Sequence, residues 1–379
     1  MTHPPQQGLK FRSDINGLRA FAVIAVVLFH FELLGLHGGF IGVDVFFVIS
    51  GFLMTQIITQ RLQRNEFTLL GFYLDRAFRI FPALLVLSAA VLVYALVIVS
   101  PEELKWVGKH IATSLAFLSN FTYWSEGGYF DTNVDQKWLL HTWSLSVEWQ
   151  FYLIYPLLLS CLFRAFGAKT LNAVIVALFA SSFALSLALS SAYPTSAFYL
   201  LPTRAWEMAL GALVFIFPIQ LGPQASRRFA WVGLGMMLFA ACFFSEALVW
   251  PGWLAAVPAI GAALVIAGRP PAMPVLSHRW TQHLGKISYS VYLWHWPLVV
   301  ALMRSEWRTS LIAKVILVGV AIGLGWLSYR FVETPALRFR AIHARRGVAM
   351  AFVGTYAGIA VVASLAYVLN GFPSRASPD

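Results

Sequence analysis

Charge is scarce in this chain. Of its 379 residues only 11% are Asp, Glu, Lys or Arg, while 59% are hydrophobic. A soluble domain carries roughly a quarter charged residues, because its surface must face water. That shortage excludes a water-soluble globule, and with a mean hydropathy of +0.73 the bilayer has to be the solvent for most of the chain. Cysteine is nearly missing too. The two that occur, Cys161 and Cys242, fall in or beside apolar stretches, so neither a disulfide framework nor a metal cluster follows. Internal repeats, low-complexity tracts and soluble inserts are lacking as well, which leaves one continuous membrane domain over 1–370. A cleavage site is the last thing wanting. The start is basic and then apolar like a signal peptide, but it carries His30 and no small-x-small motif, so it reads as a retained helix.

What is present is a series of apolar windows long enough to span a membrane. They fall at 17–36, 39–60, 78–100, 144–163, 171–191, 198–218, 229–246, 251–267, 286–303, 309–330 and 347–369. This predicts an all-α polytopic bundle of eleven transmembrane helices. The stretch 110–124 is apolar but short and carries Asn120, Thr122 and Tyr123, so it is placed as an interfacial helix within a long external loop, 101–143. The formal net charge of +11 does not argue for nucleic acid, because the Lys and Arg residues sit in short segments between spans, where they set orientation. Lys10, Arg61, Arg64, Arg164, Lys169, Arg227, Arg228, Arg338 and Arg345 fall on one side when the N-terminus is cytoplasmic. That bias puts the C-terminus outside, in the periplasm.

Ionisable groups inside such spans are expensive and are kept facing the bundle interior. His30 follows Arg19 by eleven residues, about 16 Å along a helix, so Arg19 falls at the cytoplasmic lip and His30 in the outer half. Asp44, Glu148, Arg204 and Glu207 fall at a depth similar to that of His30, and His295 lies nearer the middle of its helix. The inner side holds a second group. Arg76 and Arg79 are one turn apart and share a face, with Glu333 at the same level. Two guanidinium groups on one face suit a phosphate-bearing ligand. The bland reading of each is also available: positive-inside anchors for Arg76 and Arg79, structural ion pairs for Asp44, Glu148 and Arg204. For His141 and Trp143 it is aromatic anchoring at the outer interface. His37, His110, His278, His283 and His343 are placed in loops.

The stretches "INGLRAFAVIAVVLFHF", "GGFIGVDVFFVISGFLM", "RAFRIFPAL", "HTWSLSVEWQFYLIYP" and "ISYSVYLWHWPL" occur in this order. With them the chain resembles the acyltransferase family 3 membrane proteins over about residues 11–370. That resemblance implies an enzyme of the bacterial inner membrane that O-acylates a polysaccharide or lipid-linked glycan, with lipopolysaccharide O-antigen as the first acceptor to consider. It implies acetyl-CoA as donor, contacted by Arg76 and Arg79 with Arg19 beside them, no metal, and His30 as the catalytic residue. It further implies that 371–379 is an outer stub where an SGNH-type domain would follow, in cis or in trans. His30 is then a general base or an acyl carrier, with Asp44 or Glu148 fixing its tautomer and Arg204 balancing charge. His141, Trp143, Glu207, His295 and Glu333 complete the expected site. A transporter or flippase, which would line a path with the same charges, is the competing reading.

Overall fold

The helices begin where the sequence supplies caps. The Ser100 side chain, just ahead of Pro101, accepts a hydrogen bond from the Glu103 amide. Thr68 does the same for Gly71, and Ser310 for Ala313. Each satisfies a backbone donor that the first turn leaves open. The computed structural model describes residues 11–127, 134–271, 273–341 and 346–373, and among them all regular structure is helical. The first half contains α1 (Ser13–His30), α2 (Gly42–Gln63), α3 (Leu69–Ile98), α4 (Pro101–Leu115), α5 (Ser119–Ser125), α6 (Thr142–Ser190), α7 (Pro194–Tyr199) and α8 (Leu201–Ile216). Then come α9 (Pro223–Phe243), α10 (Ala256–Gly268), α11 (Pro274–Ser277), α12 (Arg279–Met303), α13 (Leu311–Ser328), α14 (Thr334–Ala341) and α15 (Arg346–Val368). A π-helical turn, Tyr329–Glu333, joins α13 to α14.

Among the described residues six segments are long and apolar enough to cross a membrane: Ser13–His30, Gly39–Gln63, Leu69–Ile98, Thr142–Gly167, Thr170–Ser190 and Leu311–Arg340. Ala256–Gly268 and Phe352–Val368 are apolar but shorter. The outward surface suits lipid. On α13, Leu311, Ile312, Val315 and Ile316 form an exposed stripe at helical spacing. Inside, α1 packs along α12 and α2, α2 along α8 and α10, α9 on α10, α12 on α13, and α4 on α15.

Several boundaries differ from expectation, among them the start of α12 at Arg279 rather than 286. The first helix stops at His30 instead of 36, because the chain turns through Glu32 (φ 52°) and Leu34 (φ 59°). The third starts at Leu69, so Arg76 and Arg79 lie inside it rather than at its entrance. The expected loop 101–143 contains α4 and α5. There Lys109 and His110 donate to Glu126 at 2.6 and 2.9 Å. Burial pushes the Glu126 carboxyl up, but these bonds and charges outweigh it and hold it at about 2. Finally α6 runs through two predicted spans and breaks at Gly167, whose φ of 74° belongs to the left-handed region. His110 and His283 are therefore helical, not loop residues. His278 caps α12 through the Trp280 amide, and His37 lies in a turn. His343, Lys10, Arg345 and 374–379 of the expected stub lie outside the described residues.

Where α2 meets α8 the two backbones nearly touch. A Cβ on Gly51 would stand 1.8 Å from the Met208 carbonyl oxygen, and one on Gly211 would stand 2.0 Å from that of Val48. Gly285 on α12 is held the same way, 2.0 Å from the Asn16 carbonyl of α1. Such contacts let helices pack through van der Waals forces where lipid removes the hydrophobic drive. Gly51→Ala must push α8 away, and overpacking of this kind costs about 1–3 kcal/mol. A lowered thermal midpoint in detergent is expected; an unchanged midpoint would show that the helices can part freely.

Candidate active site

Helix α1 carries Arg19 near its middle and ends on His30, and these two residues mark the ends of the site. Around Arg19, the third turn of α3 brings in Arg76 and Arg79, while α2, α6 and α12 complete the wall. Together they enclose a cavity of about 300 Å³, at the small end of the usual size of ligand sites. Its polar lining is Arg19, Arg76, Arg79, Ser50, Ser144, Glu148 and tyrosines 152, 289 and 292; Phe46, Leu53, Met54 and Ile57 make much of the rest. Arg19 donates to the Ser288 hydroxyl at 3.2 Å and lies within the field of Arg79, Glu333 and Glu148. Glu333 accepts from Ser290. Three guanidinium groups face two carboxylates here, so the mouth is left with an excess of positive charge.

Glu148 belongs to this cavity and not to the histidine end. Its carboxylate accepts from the Tyr152 hydroxyl at 2.6 Å, and Tyr152 accepts from Ser50 at 2.5 Å. At the far end the wall is Tyr292, whose hydroxyl donates to the His141 carbonyl at 2.9 Å and meets Ser144 at 2.7 Å.

Behind that wall three imidazoles gather. His30 Nδ1 lies 3.1 Å from His295 Nε2, with the rings stacked at 5.2 Å. His295 is fully buried, and its Nδ1 lies 2.5 Å from the Tyr292 carbonyl oxygen. A carbonyl can only accept, so His295 carries its proton on Nδ1 and presents a bare Nε2. His30 must then donate from Nδ1, and in the neutral ring its lone pair sits on Nε2. The His30 Nδ1 contact is thus to a second histidine, not to Asp44 or Glu148. Trp296 packs edge-on against His30 at 4.8 Å and donates its indole N–H to the Lys137 carbonyl at 2.8 Å. His141 stands 5.6 Å from His295, ring to ring.

Asp44 is engaged elsewhere. It accepts from Arg204 at 2.9 Å, and Arg204 also reaches Glu207 at 3.2 Å. Phe47, Trp143 and Phe198 surround the guanidinium at 5.6, 5.9 and 5.9 Å, the distance at which ring faces attract a cation. The expected single layer therefore resolves into three groups: histidines, a buried ion triad, and the arginine cavity. His295 moves into the first, because α1 ends earlier than its apolar run. His141 and Trp143 are buried to 1% and 2% exposure, so neither is an interfacial anchor. Sequence reasoning missed Tyr292, Trp296, Tyr152 and Ser50 as site residues. The signal for the first two was Pro297, which marks the "YLWHWP" turn as irregular helix.

Residues 12–330 match the acyltransferase domain family. The chain is 34% identical to the membrane-bound transacylase BcsY of Komagataeibacter xylinus, over 94% of this chain and 91% of that protein. It is 31% identical to the peptidoglycan O-acetyltransferase OatA of Listeria monocytogenes and 29% identical to the O-acetyltransferase OatA of Staphylococcus aureus. Each of those two alignments covers 86% of this chain, which spans 56% and 57% of the respective relative. No solved structure matches. With the family match covering most of its length and its apolar helices long enough to span a bilayer, this chain belongs to the acyltransferase family and is a membrane acyltransferase.

Proposed function

We propose that this acyltransferase takes an acetyl group from acetyl-CoA on the cytoplasmic face of a bacterial inner membrane and passes it to a hydroxyl of a cell-envelope polysaccharide outside. The observation that carries the reading is the cavity with three arginines at one end and, behind the Tyr292 wall at the other, the His30–His295 pair. Coenzyme A combines phosphates with a slender thiol-bearing arm. The phosphates suit Arg19, Arg76 and Arg79, and the arm suits a narrow, partly apolar cavity. The O-acetyltransferase relatives support acetyl as the group and a glycan hydroxyl as the acceptor; lipopolysaccharide O-antigen and peptidoglycan are the acceptors to test.

In this reading the His30 Nε2 lone pair attacks the thioester carbonyl. The C–S bond breaks and coenzyme A leaves as a thiolate, while the Nδ1 proton moves to His295 Nε2. The acetyl group then sits on His30, and the two substrates never need to meet. Arg76→Ala and Arg79→Ala should each raise the KM for acetyl-CoA by about 10-fold or more, since a hydrogen bond to a charged group contributes about 1.5–3 kcal/mol, with little change in kcat. The test is release of coenzyme A by the purified chain in proteoliposomes, followed by mass analysis of glycan-bound acetate. A donor KM unchanged in both variants would take the arginines out of donor binding. A glycan free of added acetate in cells expressing the chain would end the proposal.

A further inference from the structure

The reaction just described leaves one proton unassigned. When an acceptor hydroxyl attacks acetyl-His30, its O–H proton has to go to a base. His295 cannot take it, because it already holds the proton that came from His30 Nδ1. Among the described residues, the two carboxylates expected beside His30 are also committed: Asp44 to Arg204 at 2.9 Å, and Glu148 to Tyr152 at 2.6 Å on the cavity side of the wall.

His141 is placed to serve. It is 1% exposed, yet among the described residues neither of its ring nitrogens has a hydrogen-bond partner. A buried polar group left unpaired is costly, so an unpartnered imidazole there marks a place for a polar ligand. Its polar neighbour is the Leu293 backbone carbonyl, which lies close by without reaching hydrogen-bond geometry. That carbonyl is open because the residue four positions on is Pro297, which has no N–H to give it. It favours a ring proton on the nitrogen facing it and leaves the other nitrogen as an acceptor. The backbone at His141 is fixed as well, since its carbonyl takes the Tyr292 hydroxyl.

We propose that His141 is the acceptor-side base, binding the sugar hydroxyl and taking its proton as that oxygen attacks acetyl-His30. This rests on the acyl-carrier reading above. The step balances. The acceptor O–H bond breaks to His141, the new C–O bond forms, and the C–N bond to His30 Nε2 breaks. His295 returns its Nε2 proton to His30 Nδ1. The chain is left as it began except for one proton on His141, which matches the thiolate released in the first half. Each half-reaction thereby has its own imidazole, His30 toward the thioester and His141 toward the hydroxyl.

The test separates the two halves. With the full chain in proteoliposomes and acetyl-CoA alone, His141→Gln should release the first equivalent of coenzyme A within about threefold of the normal rate. In cells, glycan-bound acetate should fall by about 100-fold or more, the usual scale for a lost general base. His141→Phe, which keeps the ring but not the nitrogens, should give the same split. Thermal midpoints of both variants report whether the fold is intact. Near-normal glycan acetylation in His141→Gln would overturn the assignment. So would equal losses in both halves in a folded variant, which would make His141 a positioning or donor-side residue. Failure of the underlying reading looks different: the unaltered chain itself would release no coenzyme A and esterify no glycan.

Discussion

His30→Ala and His30→Asn are expected to lower acyl transfer by at least about a thousandfold, toward the upper part of the range for removing a base or nucleophile from a positioned site. The ring is half-buried at the very end of α1, so its loss leaves no large void in the core. Both proteins should elute as a single folded species with thermal midpoints near that of the parent. Asparagine is the sharper variant. Its amide can still donate to His295 Nε2, so hydrogen bonding at the helix end survives while the nucleophilic nitrogen is gone. Release of coenzyme A and glycan-bound acetate should disappear together, in contrast to the split expected for His141. Acetylation close to normal in either His30 variant would remove the imidazole from the chemistry altogether.

The second large effect lies in the ion triad. Arg204 is 1% exposed, and Asp44 and Glu207 are 0% exposed, so removing the cation strands two carboxyl groups in a low-dielectric interior. Breaking such a buried cluster by deleting one partner costs about 3–5 kcal/mol. Arg204→Met should therefore sharply reduce folded protein and thermal midpoint. Neutralising all three, as Arg204→Met with Asp44→Asn and Glu207→Gln, should restore most of the loss, since no charge is then left without a counter-ion. Acyl transfer should return with it, because the polar contacts of the triad run among its own members and not to the cavity arginines or the histidine cluster among the described residues. An Arg204→Met protein as stable as the parent would mean that water reaches the carboxylates. A stable, inactive triple variant would assign the triad a part in the reaction itself.

The pairing of these charges is legible in the sequence. Residue counts along apolar runs put Asp44, Arg204 and Glu207 at one depth, and in the fold they meet. The same counts group Glu148 with His30, and the fold separates them. Depth is one coordinate of three. Two groups at one level can face opposite sides of a helix, and nothing in one sequence gives the rotation. The His30–His295 contact is hidden for a related reason. The apolar run continues past His30, so periodicity cannot see the turn at Glu32 and Leu34. By contrast α4 is readable. Ser100 with Glu103 three positions later is a helix-start signature, and a search for long spans passes over it. His141 is easily misjudged, because "HTW" looks like an aromatic belt and only the packing of α12 against it reveals its burial.

The near-contact of α2 with α8, and of α1 with α12, has a mechanical consequence. Backbones set against each other at single glycines have no side chains to slide over, so those four helices behave as a stiff frame. Helix α3 sits outside that set and meets its neighbours through long side chains, such as Tyr289 donating to the Ile80 carbonyl at 2.7 Å. Two of the three cavity arginines ride on it. If the proposed coenzyme A donor enters here and the opening has to widen for it, compliance is concentrated on α3, and the part that yields is the part that carries the grip.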